Sequence, residues 1–473
     1  MSSAIRVVCA FVLLAGFSLS GGCVESLADI FREAKEQNSA YLAAKAGTEA
    51  DLEGISIARG QLLPTLGING NYGKNDTARK VGNLAEEDFK YETYSYGLSL
   101  RQPLYRKSNF ASYKQAIAQG EVATAKLDQA ETDLAIRVVS SYLEALFSDD
   151  QAELIVAQKA AVTGQLAAAE KSLVAGTGTR IDIDEAQAKY DLLLAQEIEI
   201  QNSQQHNRRV LASLVNRDIG PLPRLDIQRF LPQPPSPGGI DPWIKDAESF
   251  NGEYQAALAQ RKVAEQEVEK ALAGHYPTVD FVANTGRSGN DNVSSLNRLG
   301  DTEYKTTSYG LQITLPLFAG WQVNGAVRQA RAKLDQAIHL AEDLRRSISV
   351  QVHKEFDNLV QGLARINALQ RAESSAMQTV TSTQKGIMAG VRSTLDVLQA
   401  EQSLFTARRD LAQARYGYMI ASVKLKGIAG RLSQDDMENL SKQFSAPSAY
   451  TSSSQADNPD LRLRLSGLPS NRR

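Results

Sequence analysis

Residues Gly390–Leu432 read GVRSTLDVLQAEQSLFTARRDLAQARYGYMIASVKLKGIAGRL. Taken at steps of three and four, they give Val397, Ala400, Leu404, Ala407, Leu411, Ala414, Tyr418, Ala421, Leu425, Ile428 and Leu432. This is an unbroken a/d seam, most of it a larger residue alternating with alanine. A 3.5-residue apolar repeat makes a helix supercoil left-handedly around a partner, and alanine lets the two backbones approach. A core helix of an ordinary bundle satisfies the same pattern. The flanking sequence, and a second copy of the same plan earlier in the chain, point instead to one stave of a wall of very long helices.

Working outward, the chain repeats itself. Asn38 and Tyr41 recur as Asn251 and Tyr254, and Pro64-Thr65 as Pro277-Thr278, each displaced by 213 positions. Ser95-Tyr96-Gly97-Leu98 recurs as Ser308-Tyr309-Gly310-Leu311, and Pro103-Leu104 as Pro316-Leu317, at the same shift. After one inserted residue, Ala175-Gly176 and Asp182 match Ala389-Gly390 and Asp396. A constant shift held this long marks a tandem duplication. The expected divisions are residues 1–23 as an export signal, 24–219 as the first repeat, 220–242 as a linker, 243–432 as the second repeat and 433–473 as a largely disordered C-terminal segment. The linker holds half of the chain's 14 prolines, which makes it semi-rigid rather than helical. The tail from Pro447 is rich in Ser, Pro and Asn.

Each half follows one order. Val24–Leu62 is helical in composition and spacing, and Pro64 ends it. Two strictly alternating segments follow. In Thr65–Tyr72 one face carries Leu66, Ile68 and Tyr72. In Tyr94–Arg101 the apolar face is Tyr94, Tyr96, Leu98 and Leu100. The second half repeats this with Val279, Phe281 and Ala283, then Tyr309, Leu311, Ile313 and Leu315. Period two means strands with one apolar and one polar face. Polar stretches at Gly73–Lys90 and Gly286–Glu303 read as loops at their tips. Beyond the strands Lys107–Val174 has no proline and predicts one helix about 100 Å long. A glycine turn and a returning helix follow, Asp182–Asn216 in one half and Asp396–Leu432 in the other, so each half ends in an antiparallel helical hairpin.

Alternation alone leaves open a soluble sandwich, dry inside, and a membrane barrel, with apolar residues toward lipid. Three facts favour the barrel. Four strands are too few to enclose a lumen, so copies must combine. The segments between strands are polar and long. Aromatics (Tyr91, Tyr94, Tyr105, Tyr304, Phe318 and Trp321) bracket the strands at both ends, as interfacial girdles do. Arg6, the apolar run Val7–Leu19 and the small residues Ser20-Gly21-Gly22 form an export signal too short to span a bilayer. Cys23 raises lipidation, but Ser20 stands where that signal carries an apolar residue.

Other chemistry finds no support. The net charge of −2 argues against nucleic acid. Both cysteines lie in the first 23 residues, excluding a disulfide framework or a cysteine metal site. The four histidines are scattered without ligand spacing, and no phosphate loop occurs. No catalytic, metal or cofactor residues are assigned, and the chain is not expected to be an enzyme.

The duplicated plan, the strand exits Gln102-Pro103-Leu104-Tyr105 and Leu315-Pro316-Leu317-Phe318-Ala319-Gly320, the turn Gly390–Leu398 and the segment Ala412-Gln413-Ala414-Arg415-Tyr416 together resemble the TolC family of outer-membrane channels. The likeness covers Val24–Gln443. It implies a mainly α fold with membrane β: long antiparallel coiled-coil hairpins form an α-barrel, and four strands per chain contribute to a 12-stranded trimeric β-barrel. It implies a homotrimer in outer-membrane lipid with a long periplasmic extension. The expected role is a passive exit duct for type I secretion or multidrug efflux, working with a periplasmic adaptor and an inner-membrane ABC or other efflux transporter. Leu66, Ile68, Tyr96, Leu98, Val279, Phe281, Tyr309 and Leu311 would face lipid. At the helical tips, Asp396 matches an acidic pore-ring position and Arg392 a gate arginine, with Asp182 the first-half counterpart of Asp396. Gln399 and Ile387 stand where the family has a second aspartate and a tyrosine. Thr179–Asp182 and Ser393–Asp396 also fit a helix capping box, a role compatible with the pore. A soluble periplasmic coiled-coil scaffold is the alternative from another class.

Overall fold

The computed structural model describes residues 25–445 other than 81, 84 and 292–301. The export signal, Cys23 and the tail from Pro447 lie outside the described residues.

The chain opens with α1 (Leu27–Gln37) and α2 (Ser39–Gly60). The sequence pattern suggested one helix here, and Asn38 divides it. Asn38 adopts extended backbone, and its side chain accepts from the Tyr41 amide, capping α2. Asn251 does the same for the Tyr254 amide at the start of the helix Gly252–Leu272. The recurring Asn and Tyr are thus one repeated helix start.

Strands β1 (Thr65–Arg79) and β2 (Glu87–Tyr105) form a hairpin, followed by α3 (Lys107–Val174) and α4 (Arg180–Val215). The short strand β3 (Arg224–Leu225) lies in the proline-rich segment, before α5 (Asp241–Phe250) and α6 (Gly252–Leu272). The second half continues with β4 (Thr278–Asp291), β5 (Thr302–Thr314), α7 (Gln322–Met388), α8 (Thr394–Ile428), α9 (Gln434–Ser441) and β6 (Phe444–Ser445). The four long strands form one antiparallel sheet in the order β1-β2-β4-β5, so the halves join where β2 meets β4. At that join, Gly97 faces Gly286, and a Cβ on Gly286 would lie 2.6 Å from the Tyr96 carbonyl oxygen.

Two sequence expectations need correction. The polar stretch Gly73–Lys90, read as a loop, is largely strand: β1 and β2 stay in register out to Arg79 and Glu87, while of Gly286–Glu303 the described ends belong to β4 and β5 and residues 292–301 lie outside the described residues. Cross-strand ion pairs, Lys74 with Glu92 and Lys90 with Asp76, support this part of the ladder where apolar pairs end. The second returning helix, α8, stops at Ile428 rather than Leu432, because Gly430 turns into the left-handed region with φ +66°.

The α8 seam packs as its heptads require. Val397, Ala400, Leu404, Leu411, Ala414, Ala421 and Leu425 are all buried. A second stripe on the same helix, Tyr416, Met419 and Val423, enters a core with Leu134, Val138, Tyr142 and Leu146 of α3. The Tyr416 hydroxyl donates to Asp150 Oδ2 at 2.7 Å, fastening α8 to α3. That core sits partway along the helices and draws in the ends of both repeats. Leu222 and Phe230 of the proline-rich segment are buried in it, with Met437 of α9 and Phe444 of β6. Residues 433–445, grouped with the tail on sequence grounds, therefore hold a helix and a strand paired to β3.

Candidate functional site

Two regions carry the candidate residues: the turned ends of the hairpins and the outer face of the sheet. At the first tip, Gly176 has φ +75° and its N–H donates to the Leu173 carbonyl, while Thr177 N–H donates to Ser172. At the second, Gly390 has φ +73°, its N–H donates to Ile387, and Val391 N–H donates to Gly386. Both are glycine-terminated helix ends of one geometry, which only a residue tolerant of positive φ can form cheaply.

The returning helices start with full capping boxes. Thr179 Oγ1 accepts from the Asp182 amide at 3.3 Å, and the Asp182 carboxylate accepts from the Thr179 amide at 2.9 Å. Ser393 and Asp396 reproduce these bonds with the same lengths. The Thr179 hydroxyl and amide hold the Asp182 carboxyl below its ordinary range. For Asp396, the Ser393 amide is the leading cause, with its hydroxyl and the Arg392 guanidinium adding to it. Arg392 Nη1 lies 3.7 Å from Asp396 Oδ1. Its stem rests over Gly386, where an added Cβ would come within 2.7 Å of Arg392 Cγ. Each tip therefore presents a charged carboxylate at a helix start, and the second adds an arginine beside it. Among the described residues, no hydrogen bond or ion pair joins Asp182 to Asp396 or to Arg392. The two acids mark two separate points at the hairpin tips.

Near the tips the hairpins touch through apolar contacts. Leu398 of α8 packs among Ile155, Val162, Ala186 and Leu193 of the first hairpin. Lys189 Nζ of α4 donates to Gln402 Oε1 of α8 at 2.7 Å.

On the sheet, the register puts every candidate strand residue on one face. Leu66 opposes Leu100, Ile68 opposes Leu98, Phe281 opposes Leu311, and Ala283 opposes Tyr309. Tyr96 and Leu98 share that face through their pairing with Arg287 and Thr285. Ile68 is 86% exposed and Tyr309 80%, while Val279 and Phe281, on an inner strand, are half-buried. The other face is small and polar, with Gly67 opposite Ser99, Asn71 opposite Ser95, and Asn284 opposite Ser308.

Sequence reasoning missed the fastening between sheet and helices. Asp280 of β4 is 2% exposed and accepts from Arg101 Nη2 at 2.6 Å and from Arg106 Nε at 2.7 Å. Arg106 is the residue on which α3 begins, so one carboxylate holds two strands and the root of a long helix. The partners lie 174 and 179 positions away, and no local pattern announces them.

The chain matches the family described as outer membrane efflux protein over residues 30–217 and 243–431. It is 33% identical to the alkaline protease secretion protein AprF of Pseudomonas aeruginosa, over 88% of this chain and 87% of that protein. It is 28% identical to the outer membrane protein TolC of Escherichia coli, over 92% of this chain and 89% of that one. Among solved structures, the outer membrane protein VceC of Vibrio cholerae superposes with a TM-score of 0.73 at 19% identity, covering 85% of this chain and 96% of that one.

Proposed function

Because the chain belongs to the outer membrane efflux protein family, an outer-membrane transport duct rather than an enzyme, we propose that it acts as a homotrimer. Three chains close a 12-stranded barrel through the outer membrane, and their hairpins continue it as a helical barrel into the periplasm.

One observation carries this reading. On the apolar face, the boundary between apolar and charged residues is offset between the two hairpins of the sheet. On β1 the first charged residue of that face is Lys74. On β5 it is Lys305, which stands opposite Arg287, then Tyr96, then Gly70 across the ladders. Within each hairpin the boundary is level, with Lys74 opposite Glu92 and Lys305 opposite Arg287, and it slips four residues along the strands, from 74 to 70, where β2 meets β4. Averaged over the three strand spacings of the sheet, that is about 13 Å against about 14 Å, a mean slope of about 45°. A strand tilt of about that angle levels the offset into a belt, and membrane barrels tilt by roughly 35–45°. A sheet covered in a soluble domain needs no such slant.

The edges support a copy number of three. β1 and β5 are the outer strands of the four, and each leaves one side unpaired within the chain. Open backbone cannot face lipid, so β5 of one copy must pair with β1 of the next. Two copies would give eight strands, whose interior side chains fill, and three is the smallest set that leaves a lumen. Leu66, Ile68, Tyr96, Leu98, Val279, Phe281, Tyr309 and Leu311 then face lipid, and Asp182, Arg392 and Asp396 ring the periplasmic entrance.

The cargo reading is type I protein secretion, supported by the 33% likeness to a protease secretion protein. Such a duct works with a periplasmic adaptor and an energised inner-membrane transporter. Multidrug efflux is the second reading, supported by the family's description as an efflux protein. The test is native mass in detergent together with planar-bilayer recording of the purified protein. A three-chain mass and discrete conductance steps are expected. A stable, water-soluble monomer obtained without detergent would refute the proposal.

A further inference from the structure

Glu401 lies on the second turn of α8, inward from the tip, and is only 7% exposed. Around it, Leu398 packs into the first hairpin, while Ala400 and Leu404 pack against Val380 of α7. The side chain therefore sits in the seam where α8 meets both the first hairpin and its own partner helix. The amides of Gln165 from α3 and Gln384 from α7 approach its carboxyl, and Oε2 is left without a hydrogen-bond partner. No cation faces it among the described residues. The charge that α4 brings to this seam is Lys189, which is bound to Gln402. Glu170 and Lys171 of α3 and Lys385 of α7, the charged residues that follow those two amides, are exposed.

An ionised carboxylate so placed has lost water and gained no counter-charge, which disfavours the charged form. Protonated, it can donate to either glutamine carbonyl and satisfy the seam. A coiled-coil seam with one misplaced charge is weaker than its apolar neighbours suggest.

We propose that Glu401 makes closure of the seam between the two hairpins proton-linked, the neutral carboxyl seating α8 against α3 and α7 and its ionisation loosening them. The proposal rests on reading the tips as the duct's entrance. Burial raises the Glu401 pKa in the closed seam, whereas an opened seam returns the carboxyl to water and its ordinary value. The closed form then binds the proton more tightly. Its extra stability is complete below the ordinary glutamate range and is lost as pH rises through that range toward the raised value. At a neutral periplasmic pH the entrance is held less firmly than its apolar packing alone would hold it.

The test uses the full-length protein in planar bilayers, with pH on the tip side stepped from about 7.5 to about 4, a range that reaches the ordinary glutamate value. Wild type should spend severalfold more time closed at the lower pH. Glu401→Gln and Glu401→Met, which remove the titrating proton, should behave at both pH values as wild type does at the lower one. Asp182 and Asp396 are held below their ordinary range and stay charged over most of this window. Melting in detergent reads the same linkage without conduction: acidification should stabilise the wild-type tips relative to both variants. Wild-type and variant curves that coincide in pH dependence, or a wild type that opens on acidification, overturn the assignment. Normal melting linkage with no conductance at any pH would instead overturn the channel reading while leaving the Glu401 linkage supported.

Discussion

Replacing Asp280 with asparagine tests how the sheet is fastened to the long helices. The carboxylate receives four hydrogen bonds, from Arg101 Nε at 3.2 Å and Nη2 at 2.6 Å, and from Arg106 Nε at 2.7 Å and Nη2 at 2.5 Å. Asparagine keeps one acceptor oxygen and loses the charge, leaving two guanidiniums with no anion between them. Breaking a fully buried pair costs about 3–5 kcal/mol. Here the arginines can partly rehydrate, since their side chains are 50% and 27% exposed, so the expected cost falls to about 2–3 kcal/mol. The same reasoning orders the partners: Arg106→Gln should cost more than Arg101→Gln, because Arg106 has less water to return to. The assay is denaturant or thermal unfolding in one detergent for wild type, the three single variants and the Asp280→Asn/Arg106→Gln double variant. The double variant should lie well short of the sum of its singles, as members of one network do. A loss under about 0.5 kcal/mol for Asp280→Asn, or strict additivity, would refute the claim that this carboxylate holds the junction.

Two further contrasts follow from the same geometry. Gly286→Ala would set a Cβ 2.6 Å from the Tyr96 carbonyl oxygen and 3.0 Å from Gly97 Cα, forcing β2 and β4 apart, whereas Gly310→Ala meets nothing within 4 Å. The first should destabilise by about 1–3 kcal/mol and the second stay within about 0.5 kcal/mol, read by melting in detergent; equal effects would contradict the close approach at the join. At the tips, Asp396→Ala removes the acceptor for the Ser393 amide and the partner of Arg392, so melting should fall and cation selectivity should drop. Because its carboxyl is held below the ordinary range, any stability it confers is present above that range and is lost only as pH falls through the lowered value. Wild-type melting and selectivity that Asp396 governs should be flat from about pH 7 to about pH 5. Unchanged conductance and unchanged block by multivalent cations, with lower melting, would make Asp396 a helix cap and nothing more.

What the sequence made legible is what local periodicity encodes. The 3.5-residue seam named the buried face of α8, and the absence of proline delivered α3 at Lys107–Val174. The alternation in Thr65–Tyr72 and Ser308–Leu315 gave the apolar face that the register then assembled from four strands. Apolar periodicity fails where charge takes over the ladder. Lys74 opposite Glu92 and Asp76 opposite Lys90 alternate as regularly as the leucines, isoleucine and tyrosines below them, but a hydrophobic reading sees only a polar loop. Some signals were present and went unused. Ser433-x-x-Asp436 is the same capping box as those at the two tips, and it opens α9. Other features could not be read locally at all. Asp280 finds its arginines across 174 and 179 positions, and Glu401 meets amides from two other helices.

These last two residues bear on how such a duct can be both rigid and able to open. At the root of the helices, a buried carboxylate is matched by two guanidiniums, and removing either side leaves charge unpaired, so the junction resists movement. Near the tip, a buried carboxylate has no counter-ion and one oxygen without a partner, so the closed seam carries a penalty that separation relieves. The same side-chain chemistry thus has opposite mechanical consequences, decided by whether a cation is present. The α7–α8 hairpin is fixed where Tyr416 bonds Asp150 and is weakly held about 15 residues nearer the tip, at about 1.5 Å per residue a lever of some 20 Å. Motion confined to that lever would swing Arg392 and Asp396 while leaving the sheet and its junction undisturbed. Tyr416→Phe, which removes the Tyr416 donor from the half-buried Asp150, should therefore lengthen the mobile segment. Hydrogen exchange measured along α8 should show faster exchange spreading from the tip past Leu411 in that variant, and protection unchanged at Leu411 would show that the pivot lies elsewhere.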